Sequence, residues 1–248
     1  MTAPTVAIFG ATSAIAEQVA RLLAARGARL LLVARDPERL ERIAADLRLR
    51  GAALVDVQVA DLDDPAALAP LLAVLEARLG PPDLALVAFG TLGDQATIAR
   101  DPDATRRALT TNFLSPACLL TALAGRMEAA GRGTLAVVTS VAGDRGRASN
   151  YVYGAAKGGL STFLEGLRHR LAPSGVTVLD IRPGLVDTPM TAGLRKGGPL
   201  WATPERVARD IERAIRARRS VLYTPWFWRW IMLAVRALPE PLFHRLRF

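Results

Sequence analysis

Val6-Ala7-Ile8-Phe9 runs directly into Gly10-Ala11-Thr12-Ser13-Ala14-Ile15-Ala16, and this junction decides the fold. A short apolar run closed by glycine reads as a strand, and the period then changes to that of a helix reaching residue 26, with Gly27 as its stop. The same exchange repeats along the chain. Arg29 to Val33, Leu54 to Val59, Leu84 to Ala88, Leu135 to Thr139, Val176 to Ile181 and Val221 to Tyr223 read as further strands. Helices are expected near 14–26, 38–50, 65–79, 103–129, 151–171 and 204–218, with Gly51 as a second stop and Thr203-Pro204 as a cap followed by proline at the first helical position. Such alternation predicts a doubly wound α/β fold: a seven-stranded parallel sheet covered by helices on both faces. No repeat, linker or low-complexity segment interrupts it, so residues 1–248 are expected to form one domain.

Composition narrows the setting. The 248 residues are 51% hydrophobic and 22% charged, a balance that supports a sizeable core. A lone cysteine, Cys118, allows no internal disulfide, and with only His169 and His244 no metal cluster is expected. A cytoplasmic setting is expected, since the N-terminus lacks the pattern of a signal peptide. The net charge of +9 invites a nucleic-acid reading, but the arginines are spread over helices and no nucleic-acid motif is present. An anionic small molecule or a membrane surface accounts for the charge equally well.

At the glycine turn, helix N–H groups are placed to hold a dinucleotide pyrophosphate, and Gly10 permits the turn. Ala14 and Ala16 stand where such loops usually carry further glycines, so the loop alone fits a plain strand-to-helix turn equally. Farther on, Tyr153 and Lys157 lie four apart on one helix face, thirteen residues after Ser140 at a strand end. An ammonium group beside a phenol lowers its pKa, and a serine hydroxyl can polarise a carbonyl between them. Tyr151 fails this test, because its fourth neighbour is Ala155. Taken alone, the tyrosine and lysine also fit an ordinary helix surface.

The order of Gly10, Asn112, Ser140, Tyr153 and Lys157 resembles the short-chain dehydrogenase/reductase family over essentially the whole chain. The resemblance implies a Rossmann fold and an NAD(P)-dependent oxidoreductase. It implies that Tyr153 exchanges the proton, that Lys157 lowers its pKa and binds nicotinamide ribose, and that Ser140 orients the substrate oxygen. Asn112 is expected to support a water leading from Lys157. Cofactor contacts are expected from Gly10, Thr12, Ser13 and Ile15, from Asp61 and Leu62 near the adenine, and from Ala88 and Gly90 at the ribose. Pro183, Gly184, Val186 and Thr188 are expected near the nicotinamide amide. Val87-Ala88-Phe89-Gly90 replaces the family's Asn-Asn-Ala-Gly, which removes two asparagines that brace the sheet. Arg35 at the end of the second strand favours NADP(H) through its 2′-phosphate. NAD(H) stays open, because the glycine loop holds no second basic residue.

Val87 to Asp94, the run from Ser140 to Gly154, and the tail from Pro225 to Phe248 resemble the subgroup containing decaprenylphosphoryl-2-keto-ribose reductase. That likeness implies reduction of a keto group on a lipid-linked or phosphorylated sugar. Residue chemistry points the same way: Arg145 and Arg147 precede Tyr153, while Arg195 and Lys196 lie in a lid expected over 190–202. These four cations either hold a phosphate or simply solvate their loops. The tail, 225–248, reads as an amphipathic element that lies on an anionic membrane, bringing the protein to its inner face, or packs inside a homodimer or homotetramer. A catalytically idle dinucleotide-binding partner of a membrane enzyme and a reductase of an unrelated lipid or small ketone are the other readings.

Overall fold

The protein is described here by a computed structural model covering residues 3–194 and 196–245. Nine strands are formed among these residues: β1 (Thr5–Phe9), β2 (Arg29–Ala34), β3 (Leu54–Val59), β4 (Leu84–Val87), β5 (Thr134–Val138), β6 (Thr177–Pro183), β7 (Leu185–Val186), β8 (Trp201–Ala202) and β9 (Val221–Thr224). The helices are α1 (Ala14–Ala24), α2 (Pro37–Leu49), α3 (Pro65–Leu79), α4 (Gln95–Ile98), α5 (Pro102–Leu109), α6 (Ser115–Ala130), α7 (Tyr151–Leu171), α8 (Pro204–Arg216), α9 (Trp228–Ala237) and α10 (Glu240–Phe243).

Seven strands pair in the order β3-β2-β1-β4-β5-β6-β9, every pair parallel. Parallel pairing needs crossovers, and the crossovers place helices on both faces. That is why β1, β2 and β4 are apolar at nearly every position rather than alternately. One face packs Ile15, Val19, Leu40, Leu47, Val207 and Ile211 from α1, α2 and α8. The other packs Leu71, Leu75, Leu120, Leu123, Leu160 and Leu164 from α3, α6 and α7. The chain reverses its winding between β1 and β4, which opens a crevice beyond their carboxyl ends.

The predicted strands and helices are present, with ends shifted by a few residues. Three features were not predicted, the short helix α4 being one. A π-helical turn, Thr110–Leu114, breaks the expected 103–129 helix. β7 and β8 form a separate two-stranded ladder. The tail, expected as an amphipathic element, folds as α9 and α10, and Trp228 and Met232 of α9 pack against Val141, Leu185 and Tyr223. Apolar periodicity cannot register a bulge, a two-residue strand or a four-residue helix.

Candidate active site

Gly10 has φ 83, and a Cβ there would stand 2.7 Å from the Phe89 nitrogen, so the turn admits only glycine. Its N–H and that of Ala11 both donate to the Val33 carbonyl, at 2.8 and 3.0 Å. Ser13 begins α1 without a side-chain cap, so the N–H groups of the first turn keep no intrahelical acceptor. Thr12 and Ser13 are part-exposed beside them, and Ile15 and Ala16 turn into the core. Fully buried Ala16 fills the place where a further glycine was expected. In the stretch that lacks the asparagines, Phe89 packs over Gly10, and the Ala88 N–H donates to the Phe9 carbonyl at 2.8 Å.

Arg35 is exposed at the end of β2 and makes no hydrogen bond or ion pair with another described residue. Asp36 is committed elsewhere: its carboxylate accepts the Arg39 N–H at 3.0 Å and caps α2. Asp61 is exposed and accepts the Asp63 N–H at 3.1 Å, while Leu62 packs on the core. Asp63, which sequence reasoning passed over, accepts hydrogen bonds from Thr111, and from Ser115 at 2.7 Å, and thereby ties the loop after β3 to the π-helical turn.

Asn112 sits inside that turn, 1% exposed. Its Oδ1 accepts the Thr91 N–H at 3.0 Å, and its Nδ2 donates to the Thr91 and Ala108 carbonyls at 2.8 and 2.9 Å. Both Nδ2 donors are thereby used, and Oδ1 keeps one lone pair. A Cβ on Gly90 would come within 2.7 Å of Asn112 Oδ1 and 3.4 Å of Lys157 Nζ, so Gly90 brings β4, Asn112 and Lys157 together.

Ser140 extends from β5 and caps the 3-10 turn Val141–Asp144, accepting the Ala142 N–H at 3.1 Å. This turn rests on the backbone of α7. A Cβ on Gly143 would meet the Gly158 nitrogen at 2.6 Å, and one on Gly154 would meet the Ala142 carbonyl at 2.9 Å. Glycine weakens a helix interior by about 1 kcal/mol, and here the contact needs it. As a result the turn that begins at Ser140 lies against the helix that carries Tyr153.

Burial pushes the Tyr153 phenol up to about 12, with the Ser140 hydrogen bond acting against the rise. Burial likewise pushes Lys157 down to about 8, opposed by the charge of Asp180. The Lys157 Nζ is 5.9 Å from the centre of the Tyr153 ring and donates to the Val138 carbonyl at 3.0 Å. Tyr151 is exposed on the opposite side of the helix.

A buried ion cluster lies behind Ser140, another feature that pattern reading missed. Arg182 donates to Asp180, Asp144 and Tyr223 at 2.8, 2.8 and 2.9 Å, and the Tyr223 hydroxyl donates to Asp144 at 2.9 Å. Thr139 Oγ1 closes the cluster by donating to Asp180. Burial opposes the Arg182 charge, but Asp180, Tyr223 and Asp144 together raise its pKa.

Pro183 ends β6, and Gly184 donates its N–H to the Thr224 carbonyl at 3.0 Å. The Val186 carbonyl accepts the Thr191 hydroxyl at 2.7 Å, and Thr188 begins the 3-10 turn that follows.

Three of the four cations lie among the described residues, and two of these have partners away from a common point. Arg145 donates to the carbonyls of Val235, Arg236 and Leu238 at 2.6, 3.3 and 2.7 Å and stacks on Phe243, so it closes the end of α9. Lys196 pairs with Asp187. Arg195 lies outside the described residues. Arg147 remains, its charge disfavoured by burial and supported by Asp144, and its Nε is buried without a partner among the described residues. Two missed residues share that condition. Asn150 Oδ1 and Gln95 Nε2 are buried and unpaired, and Gln95 Oε1 accepts the Val152 N–H at 3.3 Å beside the first turn of α7.

The short chain dehydrogenase family profile matches residues 4–198. The chain belongs to the short-chain dehydrogenase/reductase family. An uncharacterized oxidoreductase of Mycobacterium tuberculosis is 44% identical over 98% of this chain and 97% of its own length. Among solved structures, a bulky-bulky ketone specific alcohol dehydrogenase from Comamonas testosteroni superposes with TM-score 0.82 at 25% identity, covering 100% of this chain and 96% of that one. A short-chain dehydrogenase from Sphingobium yanoikuyae in complex with NADPH superposes with TM-score 0.81 at 28% identity, covering 98% of this chain and 96% of that one. Family membership makes the chain an oxidoreductase with a Rossmann-like fold.

Proposed function

We propose that this protein is an NADPH-dependent carbonyl reductase acting on a bulky ketone, the keto group of a lipid-linked or phosphorylated sugar being the substrate class that its sequence resemblance names. The observation that carries the reading is the packing of the Ser140 turn on α7 through Gly143, Gly154 and Gly158, which sets Ser140 against the helix that carries Tyr153 and buried Lys157. The glycine cradle at Gly10 and the uncapped start of α1 suit a pyrophosphate, Gly90 leaves room for a ribose beside Lys157, and exposed Arg35 suits a 2′-phosphate. NADPH held there supplies the hydride. A phenol raised to about 12 keeps its proton at neutral pH, so Tyr153 is the acid that delivers it to the carbonyl oxygen. Ser140 donates to the same oxygen and steadies its developing charge. Lys157, while charged, offsets the negative charge left on Tyr153. Arg147, Asn150 and Gln95 supply unpaired polar atoms for the remainder of the substrate.

The test is turnover with NADPH and NADH against keto-pentoses, their prenyl phosphates and bulky aryl ketones. Tyr153→Phe is expected to lower kcat at least a thousandfold, given the usual worth of an acid catalyst and its proton, while cofactor titration is little changed. Tyr151→Phe is expected to stay within about twofold, as for an exposed surface position. A dead Tyr151→Phe with an active Tyr153→Phe would overturn the assignment.

A further inference from the structure

We infer that the outward face of α9 is a docking surface for an anionic phospholipid bilayer. The helix has two apolar sides. Its inner side, Trp228 and Met232, packs on Val141, Leu185 and Tyr223 and so lies against the turn that follows Ser140. Its outer side carries Trp230 and Leu233, 59% and 57% exposed, and Trp226 just before the helix is 66% exposed. Large apolar side chains gathered on one free face mark an interaction surface.

Arginine placement decides the occupant. Arg229 and Arg236 lie seven residues apart, hence on one flank of the helix, bordering Trp230, Leu233 and Ala237. An apolar strip with tryptophan inside and arginine at its border lies flat in the headgroup layer: the rings enter the acyl boundary and the guanidinium groups reach lipid phosphates. A second copy fits less well. A twofold contact sets the same patch against itself, and between Pro225 and Ala237 that patch offers no acid to pair with Arg229 and Arg236 of the other copy. From Pro225 to Arg245 the chain holds three arginines and a single acid, Glu240. The net charge of +9 favours the bilayer at longer range.

The inference does not depend on the substrate, because binding is read without turnover. Full-length protein is sedimented at low salt with vesicles of phosphatidylglycerol and phosphatidylcholine, and with phosphatidylcholine alone. Pelleting is expected with the anionic vesicles and is expected to fade as salt is raised. Arg229→Gln and Arg236→Gln should each weaken partitioning about fivefold, and together about thirtyfold. Trp230→Ser should weaken it by a similar factor while reduction of a small soluble ketone stays unchanged, which excludes unfolding. Absence of lipid-dependent pelleting by folded protein would overturn the inference. So would pelleting untouched by all three substitutions, or a doubled solution mass that Trp230→Ser abolishes, which would give the face to a second copy.

Discussion

At the scale of residues, the two groups that define the site are displaced in opposite senses by one cause, removal from water. Lys157 at about 8 and Tyr153 at about 12 are each held toward the neutral form. The sign for activity follows. Reduction uses protonated Tyr153, present throughout the neutral range, and charged Lys157, which is lost as pH rises through about 8. Oxidation of the alcohol uses the phenolate and gains with pH. The reductive kcat/KM is therefore expected to fall above about pH 8 while the oxidative value rises. Asp180 favours the Lys157 charge, so Asp180→Asn should move the reductive limb to lower pH. An unmoved limb would remove Asp180 from the electrostatics of the site. Arg35 gives a separate test: Arg35→Ala should weaken NADPH binding on the order of tenfold, as for one solvent-screened charged contact, and leave NADH nearly unchanged. Equal losses in parallel titrations would take the 2′-phosphate away from Arg35. That Tyr153 and Lys157 share a helix face was legible from their spacing, and their association with Ser140 and Asn112 came through the family resemblance. The partners of Arg145 and Lys196 were not legible, since a loop cation looks the same in sequence whether it meets a ligand, an aspartate or a helix end.

At the scale of elements, the site is assembled by glycines whose purpose lies in another segment. Gly154 and Gly158 look like flaws in α7 until the 3-10 turn after Ser140 is set against them. Gly184 is the sharper case. A Cβ there would fall 1.9 Å from the Trp228 indole nitrogen, closer than any rotamer change of so large a ring can relieve. Gly184→Ala should dislodge α9 and cost about 1–3 kcal/mol, in the range of overpacked cores. Thermal unfolding measures the loss, and a rise in Trp fluorescence quenching reports the freed ring. An unshifted Tm would show that the tail contributes little to stability. The helix pattern over 103–129 was readable from sequence, but the π-helical turn carrying Asn112 was not, because a bulge inserts one residue without disturbing the apolar count on either side.

At the scale of the whole molecule, the order of the seven sheet strands and of the helices between them was readable, since parallel strands buried on both faces leave long apolar runs between helices. What escaped were several side-chain links between segments distant in sequence: the Asp180, Arg182, Asp144 and Tyr223 cluster, the anchor of Asp63 on the π-helical turn, and the seat of the tail. The turn Val141–Asp144 has one further consequence. It is flanked by Ser140 on one side and Arg145 on the other, its Asp144 enters the ion cluster, and its Val141 is covered by α9. The last helices are thus wired to the serine by four residues of backbone. Removing the helices beyond Thr224 would uncover Val141 and so reach the active centre from a distance.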